Sequence, residues 1–124
     1  MQKIQTTTEY TLYDSVDELD KVAKDLMTEA VKARKKAYAP YSNFSVGAAI
    51  LLDNNITVLG NNQENAAFPS GLCAERVAIY NAGANYPDST IKIIAISASS
   101  SKHKVQEPVG PCGACRQTLS EYEI

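Results

Sequence analysis

The three cysteines of this chain place the strongest constraint on its fold, because they occur in two short motifs that are far apart in the sequence. Cys73 is followed by Ala74 and Glu75, and Cys112 and Cys115 form a Cys-x-x-Cys pair. An odd number of cysteines without an export signal argues against a disulfide framework and leaves metal binding or thiol chemistry. We therefore predict that the fold brings the three thiols together.

This pattern favours a zinc site in which one coordination position of the metal is open. Two sulfurs at the start of one helix can share an ion, and Cys73 from a second helix completes three ligands, which leaves the fourth tetrahedral position for water. Glu75 matches the glutamate of zinc deaminases that serves as an acid/base and not as a ligand. Arg76 is placed to donate hydrogen bonds to a thiolate and to offset the charge of three sulfurs. The alternative is that Arg76 is a surface residue with no role in the site.

Two other readings of the cysteines remain open. His103, in the loop before Cys112, is a candidate fourth ligand of a closed structural zinc site, although that reading leaves Glu75 and Arg76 unexplained. A thioredoxin-like redox role is the second alternative, but it gives Cys73 no function.

Length and composition limit the classes of protein. The 124 residues suit one domain over residues 1–124, with an N-terminal extension over residues 1–14 of uncertain structure. Hydrophobic residues at 44% and charged residues at 21% are typical of a soluble globular protein. A net charge of −2 argues against a nucleic-acid polymer as partner, and no apolar run is long enough for a membrane span. We expect a cytoplasmic protein with a small ligand.

The first half of the sequence predicts one long helix. Alternating Thr, Tyr and aliphatic residues over 4–13 indicate a short strand or an extended arm. Ser15 and Glu18 form a capping-box pattern, after which apolar residues recur at helical spacing. Pro40 predicts that this helix ends near Tyr38.

The remaining elements predict an α/β sandwich. A hairpin is expected from strands over 44–52 and 56–60, followed by a loop and a helix that begins around Cys73. The apolar run over 91–98 indicates a central strand, and a last helix is expected from about Cys112. This order favours helices packed on a small mixed sheet, in two or three layers.

The chain resembles the small homotetrameric zinc-dependent cytidine deaminases over about residues 30–119. The resemblance rests on four motifs in order: Ala37-Tyr38-Ala39-Pro40-Tyr41-Ser42-Asn43-Phe44-x-Val46-Gly47-Ala48-Ala49, Asn62-x-Glu64-Asn65-Ala66, Cys73-Ala74-Glu75-Arg76, and Pro111-Cys112-Gly113-Ala114-Cys115-Arg116-Gln117. It implies a cytidine-deaminase-like fold, one zinc ion per subunit and hydrolytic deamination of cytidine and 2′-deoxycytidine, with Glu75 as proton shuttle.

The resemblance also implies which residues hold the pyrimidine nucleoside. Phe44 is similar to the aromatic residue that packs against the base, Asn62 and Glu64 to the pair that bonds the ribose hydroxyls, and Ala74 to the residue whose backbone contacts the base edge. Core filling by Phe44 and loop capping by Asn62 and Glu64 are the structural alternatives.

Two departures from the family pattern affect these expectations. Phe68 stands where the family often has a tyrosine that approaches a neighbouring subunit's site. The family continues into further strands beyond the position of Ile124, so we expect the C-terminal part of that fold to be missing and one side of the 91–98 strand to lack a neighbour.

Two alternative functions remain for a chain with these motifs. A blasticidin-S-type deaminase shares the three-cysteine site and the Cys-Ala-Glu motif, although Phe44, Asn62 and Glu64 favour plain nucleosides. A catalytically inactive, zinc-stabilised interaction domain is the non-enzymatic alternative.

Overall fold

The computed structural model describes residues 1–123, and Ile124 lies outside the described residues. Single 3₁₀ turns occur at Val16–Glu18 and Phe68–Ser70. The six longer elements are α1 (Lys21–Arg34), β1 (Phe44–Leu52), β2 (Thr57–Asn61), α2 (Ala74–Asn85), β3 (Ile91–Ser100) and α3 (Gly113–Tyr122). The predicted hairpin and the helix starts near Cys73 and Cys112 are confirmed.

The sheet of the described residues has the strand order β2-β1-β3, and both neighbouring pairs are antiparallel. The prediction of a mixed sheet is therefore wrong, and so is the central position expected for β3, since β1 is the central strand. The physical reason is the path of the chain. After the β1–β2 hairpin, α2 carries the chain back to the far side of β1, so β2 and β3 run parallel without being neighbours. As expected, β3 lacks a strand partner on its outer side in this part of the chain.

Helices cover both faces of the sheet, so that the fold has three layers and not two. Alternate β1 residues Ala48, Ile50 and Leu52 pack in one buried cluster with α2 residues, including Ala78 and Ile79. The intervening face of β1 packs against α1, where Leu26, Ala30, Ala49 and Ala95 form the second cluster. The period-two alternation of β1 thus supplies one face to each helix layer.

Two glycines allow the helices to lie this close to the sheet. A Cβ atom on Gly47 would lie 2.1 Å from the Ala30 carbonyl oxygen of α1, and one on Gly60 would lie 2.4 Å from the Ala78 nitrogen of α2. Both contacts involve backbone atoms, which cannot rotate away. Gly60 therefore sets the distance at which α2, and the cysteine before it, lie against β2.

Helix α1 is shorter than the sequence pattern predicted. Ser15 caps only the first 3₁₀ turn, and α1 begins after Asp20, whose side chain accepts a hydrogen bond of 2.9 Å from the Ala23 backbone. The helix ends at Arg34, not near Tyr38. The Tyr38 backbone pairs instead with the segment after β2, donating to the Asn62 carbonyl at 3.0 Å. A long-range backbone contact thus overrides the local helical pattern.

The N-terminal extension makes no regular element in the structure. Residues 1–13 are exposed and contain neither helix nor strand, so the strand that was one of the two predictions for this segment does not form. No helix in residues 1–123 combines the length and the apolar character that crossing a membrane requires.

Candidate metal centre and active-site cleft

Cys73 is held at the N-terminus of α2 by backbone contacts on both sides. Leu72 exchanges two backbone hydrogen bonds of 2.9 Å with Gln63, which keeps the chain extended up to the cysteine. Cys73 is the N-cap of α2, and its carbonyl accepts the first helical bond from Val77 at 3.1 Å. Its sulfur therefore lies where the positive end of the helix dipole favours a thiolate.

Cys112 has the same position at the N-terminus of α3. Its sulfur accepts a bond of 3.5 Å from the Cys115 backbone N–H, and its carbonyl accepts one of 2.9 Å from Arg116. Pro111 precedes this cap and lies outside the helix, and its carbonyl accepts a 3.1 Å bond from the Arg116 Nε.

The fold brings the three cysteines together, as predicted. Their sulfurs all lie within 4.8 Å of one another, and those of Cys73 and Cys112 are 3.7 Å apart. Two ligands of a tetrahedral zinc with Zn–S bonds of about 2.3 Å are separated by about 3.8 Å. A disulfide needs about 2.05 Å, and all three thiols are free. The cluster therefore fits a zinc ion held by Cys73, Cys112 and Cys115.

The thiol pKa values of Cys112 and Cys115 are shifted in opposite directions. The hydrogen bond from the Cys115 backbone N–H lowers the pKa of the Cys112 thiol. Burial, together with the smaller effects of its contact with Cys112 and of the nearby charge of Glu75, raises the pKa of the Cys115 thiol to about 12. Zinc binding must therefore displace a proton from Cys115.

Arg76 lies against this cluster, one turn into α2. Its Nη2 lies 3.7 Å from the Cys73 sulfur, and that hydrogen bond raises the pKa of the guanidinium. The Nε of the same side chain is buried without a hydrogen-bond partner, alone among the side-chain nitrogens and oxygens of residues 1–123. A guanidinium aimed at sulfur fits the predicted role of offsetting thiolate charge.

Glu75 is buried beside the cysteines in the first turn of α2. Only 6% of the residue is exposed, and none of the hydrogen bonds found in residues 1–123 uses its carboxylate. Its charge acts on Cys115, which places it close to the cluster. No oxygen of this carboxylate is both buried and unbonded, so its acceptor atoms remain accessible to water or to a ligand.

An open cleft with a volume of about 610 Å³ adjoins the cluster. It contains five of the residues singled out from the sequence, whereas Phe44, Ala74 and Glu75 do not line it. The residues concerned are Asn62, Glu64, Phe68, Cys73 and Arg76.

Asn62 lines the cleft but uses its side chain to hold β1. Its Oδ1 accepts a 2.8 Å bond from the Val46 backbone, and its Nδ2 donates a 2.9 Å bond to the Phe44 carbonyl. One lone pair and one N–H of the amide remain for a ligand. The side chain thus combines the loop-bracing role with a free polar edge.

Glu64 braces the turn before β1 in a similar way. Its carboxylate accepts a 2.9 Å bond from the Tyr41 backbone and further bonds from the Ser42 backbone and hydroxyl. The hydroxyl bond from Ser42 does most to lower the pKa of this carboxyl group. Ser42 was missed in the sequence, although its place two residues before Phe44 in the first motif was a usable signal.

The remaining candidates lie around the cleft. Ala74 is fully buried as the first residue of α2, and Phe68 is 90% exposed at the rim. His103 is not part of the cysteine cluster. Its Nδ1 lies 3.2 Å from the Ser100 Oγ, and its ring stacks with Phe44. The stacking partner of Phe44 could not be read from the sequence, because it depends on the path of a loop.

Comparison with known proteins identifies the class to which this fold and site belong. Residues 20–124 match the family model of the cytidine and deoxycytidylate deaminase zinc-binding region. A cytidine deaminase of Halalkalibacterium halodurans is 42% identical over 96 residues, which cover 77% of this chain and 68% of the relative. A cytidine deaminase of Mycobacterium tuberculosis is 36% identical over 100 residues, with 78% and 68% covered. The chain belongs to this zinc-dependent deaminase family.

Solved structures give the same result for the fold. The cytidine deaminase of Burkholderia pseudomallei matches with a TM-score of 0.67 and 40% identity, over 79% of this chain and 74% of that one. The enzyme of Mycobacterium tuberculosis matches with a TM-score of 0.69 and 32% identity, over 85% and 79%. The cytidine-deaminase-like fold predicted from the sequence is confirmed.

Proposed function

We propose that this chain catalyses the hydrolytic deamination of cytidine and 2′-deoxycytidine to uridine and 2′-deoxyuridine, with release of ammonia. The observation that carries the proposal is the meeting of three sulfurs within 4.8 Å beside the carboxylate of the buried residue Glu75, next to an open cleft. Membership of the deaminase family gives the type of reaction.

Glu75 moves the protons in the proposed reaction. When bound, zinc supplies the Lewis acidity that makes water nucleophilic near neutral pH. Glu75 takes one proton from the water whose oxygen bonds to C4, and gives that proton to N3 of the cytosine. It then takes the remaining proton from the same oxygen and delivers it to the amino group, so that the C4–N bond breaks, ammonia leaves and the C4 carbonyl of uridine forms. Its burial supports this role, because a group that transfers protons must be held close to the reacting atoms.

Residues in the cleft and beside it hold the nucleoside in this proposal. Asn62 offers its free amide edge, and Glu64 its remaining acceptor positions, to the ribose hydroxyls. Phe44 packs against the pyrimidine, and the backbone at Ala74 contacts the base edge. Free N–H groups in the first turn of α2 support the last contact, since Val77 is the first residue to bond within the helix.

An ultraviolet assay with three substrates tests the proposal. Purified, zinc-loaded protein is given cytidine, 2′-deoxycytidine or blasticidin S, with and without a chelator. We expect chelator-sensitive loss of absorbance with both nucleosides. Turnover of blasticidin S alone would show a blasticidin-type deaminase, and no turnover of any substrate by zinc-loaded protein would favour the non-enzymatic interaction domain.

We further propose a homotetramer that acts in cytoplasmic pyrimidine salvage. Phe68 supports the assembly, because an aromatic side chain that is 90% exposed at the rim of the cleft is suited to contact a second subunit. Three thiol ligands must stay reduced to bind zinc, which supports a reducing compartment. Sedimentation analysis of the purified protein tests the assembly, and a monomer at micromolar concentration would contradict it.

A further inference from the structure

His103 belongs to a loop that returns over the start of β1. Phe44, the first residue of β1, is paired in register with Ser100, the last residue of β3. The next residue, Ser101, donates a backbone bond of 3.2 Å to the Asn43 carbonyl. The chain that follows β3 therefore starts its loop directly beside the Phe44 side chain.

The Ser100 side chain holds the imidazole beside the Phe44 ring. The Ser100 hydroxyl accepts a 3.1 Å bond from the Lys102 backbone and lies 3.2 Å from the His103 Nδ1. The ring centroids of Phe44 and His103 are 6.3 Å apart, with an angle of 20° between the planes. This near-parallel arrangement lies in the range of offset aromatic stacking.

Neither ring of the aromatic pair lines the cleft, but the Phe44 backbone is bonded to two residues that do. The Phe44 backbone is bonded on one side by the Ser42 hydroxyl at 3.0 Å and on the other by the Asn62 amide at 2.9 Å. Both Ser42 and Asn62 line the cleft. His103 is exposed and Phe44 is partly exposed, so the pair presents aromatic surface and is not core filling.

We propose that His103 is a substrate-binding residue whose imidazole ring, stacked with Phe44, forms the second aromatic surface of the pyrimidine pocket. This inference rests on the proposed function. A planar pyrimidine stacks on aromatic rings whatever its substituents, and such stacking strengthens binding without taking part in proton transfer. His103 thus acts on nucleoside affinity and not on the chemical step.

Equilibrium binding of uridine, the unconsumed product, is the test, supported by KM and kcat for cytidine. His103→Ala should weaken uridine binding and raise KM about tenfold, with kcat within about twofold of the parent. His103→Phe, which keeps an aromatic ring but removes both ring nitrogens, should restore most of the affinity. Lys104→Ala, one residue further along the same exposed loop, is the matched control and should change neither constant.

Three results would overturn the inference. They are unchanged uridine affinity in His103→Ala, a loss in His103→Phe as large as that in His103→Ala, and zinc below one ion per chain in His103→Ala, which would indicate a metal-ligand role. Parent protein that binds uridine but does not deaminate cytidine would contradict the proposed function alone, since the comparison of affinities would still stand. Parent protein that binds no uridine would contradict both.

Discussion

Arg76 extends back by one helical turn to Cys73, so that its Nη2 lies 3.7 Å from the cysteine sulfur. Three thiolates give a zinc site a net negative charge, which makes the metal a weaker Lewis acid than in a site built from neutral ligands. A guanidinium that bonds one sulfur withdraws part of that charge. In the proposed mechanism, the N-terminal end of α2 and its cap therefore supply the ligand, the acid/base residue and the cation that tunes the ligand.

Replacing Arg76 tests this tuning. Arg76→Ala should lower kcat roughly 10- to 100-fold, the usual effect of removing a partner of a metal ligand. The kcat of Arg76→Lys should lie between those of the parent protein and Arg76→Ala, because lysine keeps the positive charge but lacks the planar guanidinium. Steady-state kinetics with zinc content determined on the same samples measures the effect. A fully active, zinc-loaded Arg76→Ala protein would show that the arginine is only a surface residue.

Zinc removal should destabilise the fold, because the cluster joins α2 to α3. Outside the cysteines, the contacts between these helices include one hydroxyl pair, Tyr80 with Thr118 at 3.3 Å, and the tilted rings of Tyr80 and Tyr122. We expect a chelator to lower the melting temperature by roughly 5 °C or more, and added zinc to restore it. Cys115→Ser should have the melting temperature of the metal-free protein whether or not zinc is added. An unchanged melting temperature after verified zinc removal would contradict this.

Gly60→Ala should disturb the metal centre from a distance. The new Cβ would lie 2.4 Å from the Ala78 nitrogen, so α2 must move away from β2 and take Cys73 with it. We expect a loss of about 2 kcal/mol or more in the free energy of unfolding, together with weaker zinc binding. Gly110→Ala is the control, because its Cβ would meet only the end of the Arg116 side chain at 3.9 Å. Equal stability of the two variants in urea titration would refute the packing argument.

Local signals in the sequence predicted much of the fold and the metal centre. The hairpin and the starts of α2 and α3 follow from alternation, turn and helix-start signals within short windows. The meeting of the three cysteines follows from the ligand number that a zinc site needs. The family motifs added the roles proposed for Phe44 and Glu75.

The features that the sequence did not reveal depend on contacts between distant residues. The end of α1 is set by the pairing of Tyr38 with Asn62, and the position of β3 by the path of α2. Two further contacts join segments that no local pattern connects. They are the bonds that the Glu64 carboxylate accepts from the Tyr41–Ser42 turn, and the stacking of His103 with Phe44.

The Glu64 carboxyl should titrate below its ordinary pKa of 4.5, because it accepts bonds from the Ser42 hydroxyl and the Tyr41 and Ser42 backbone. Since the folded-state pKa is lowered, these bonds stabilise the fold above the unfolded-state value and are lost as the pH falls through the folded-state value. NMR titration of the side-chain carboxyl measures the shift. Ser42→Ala should move the pKa upward, and an identical titration in both proteins would exclude the hydroxyl as its cause.

In the proposed mechanism, Glu75, buried beside the three cysteines, moves the protons of cytidine deamination. Glu75→Gln keeps the size and burial of the side chain but removes its basicity. The decisive measurement is kcat for cytidine in this variant, with zinc content and uridine affinity determined on the same sample. We predict one zinc ion per chain, nearly unchanged affinity, and a kcat reduced by at least about 100-fold. Near-normal turnover by the zinc-loaded variant would contradict the proton-transfer role of Glu75.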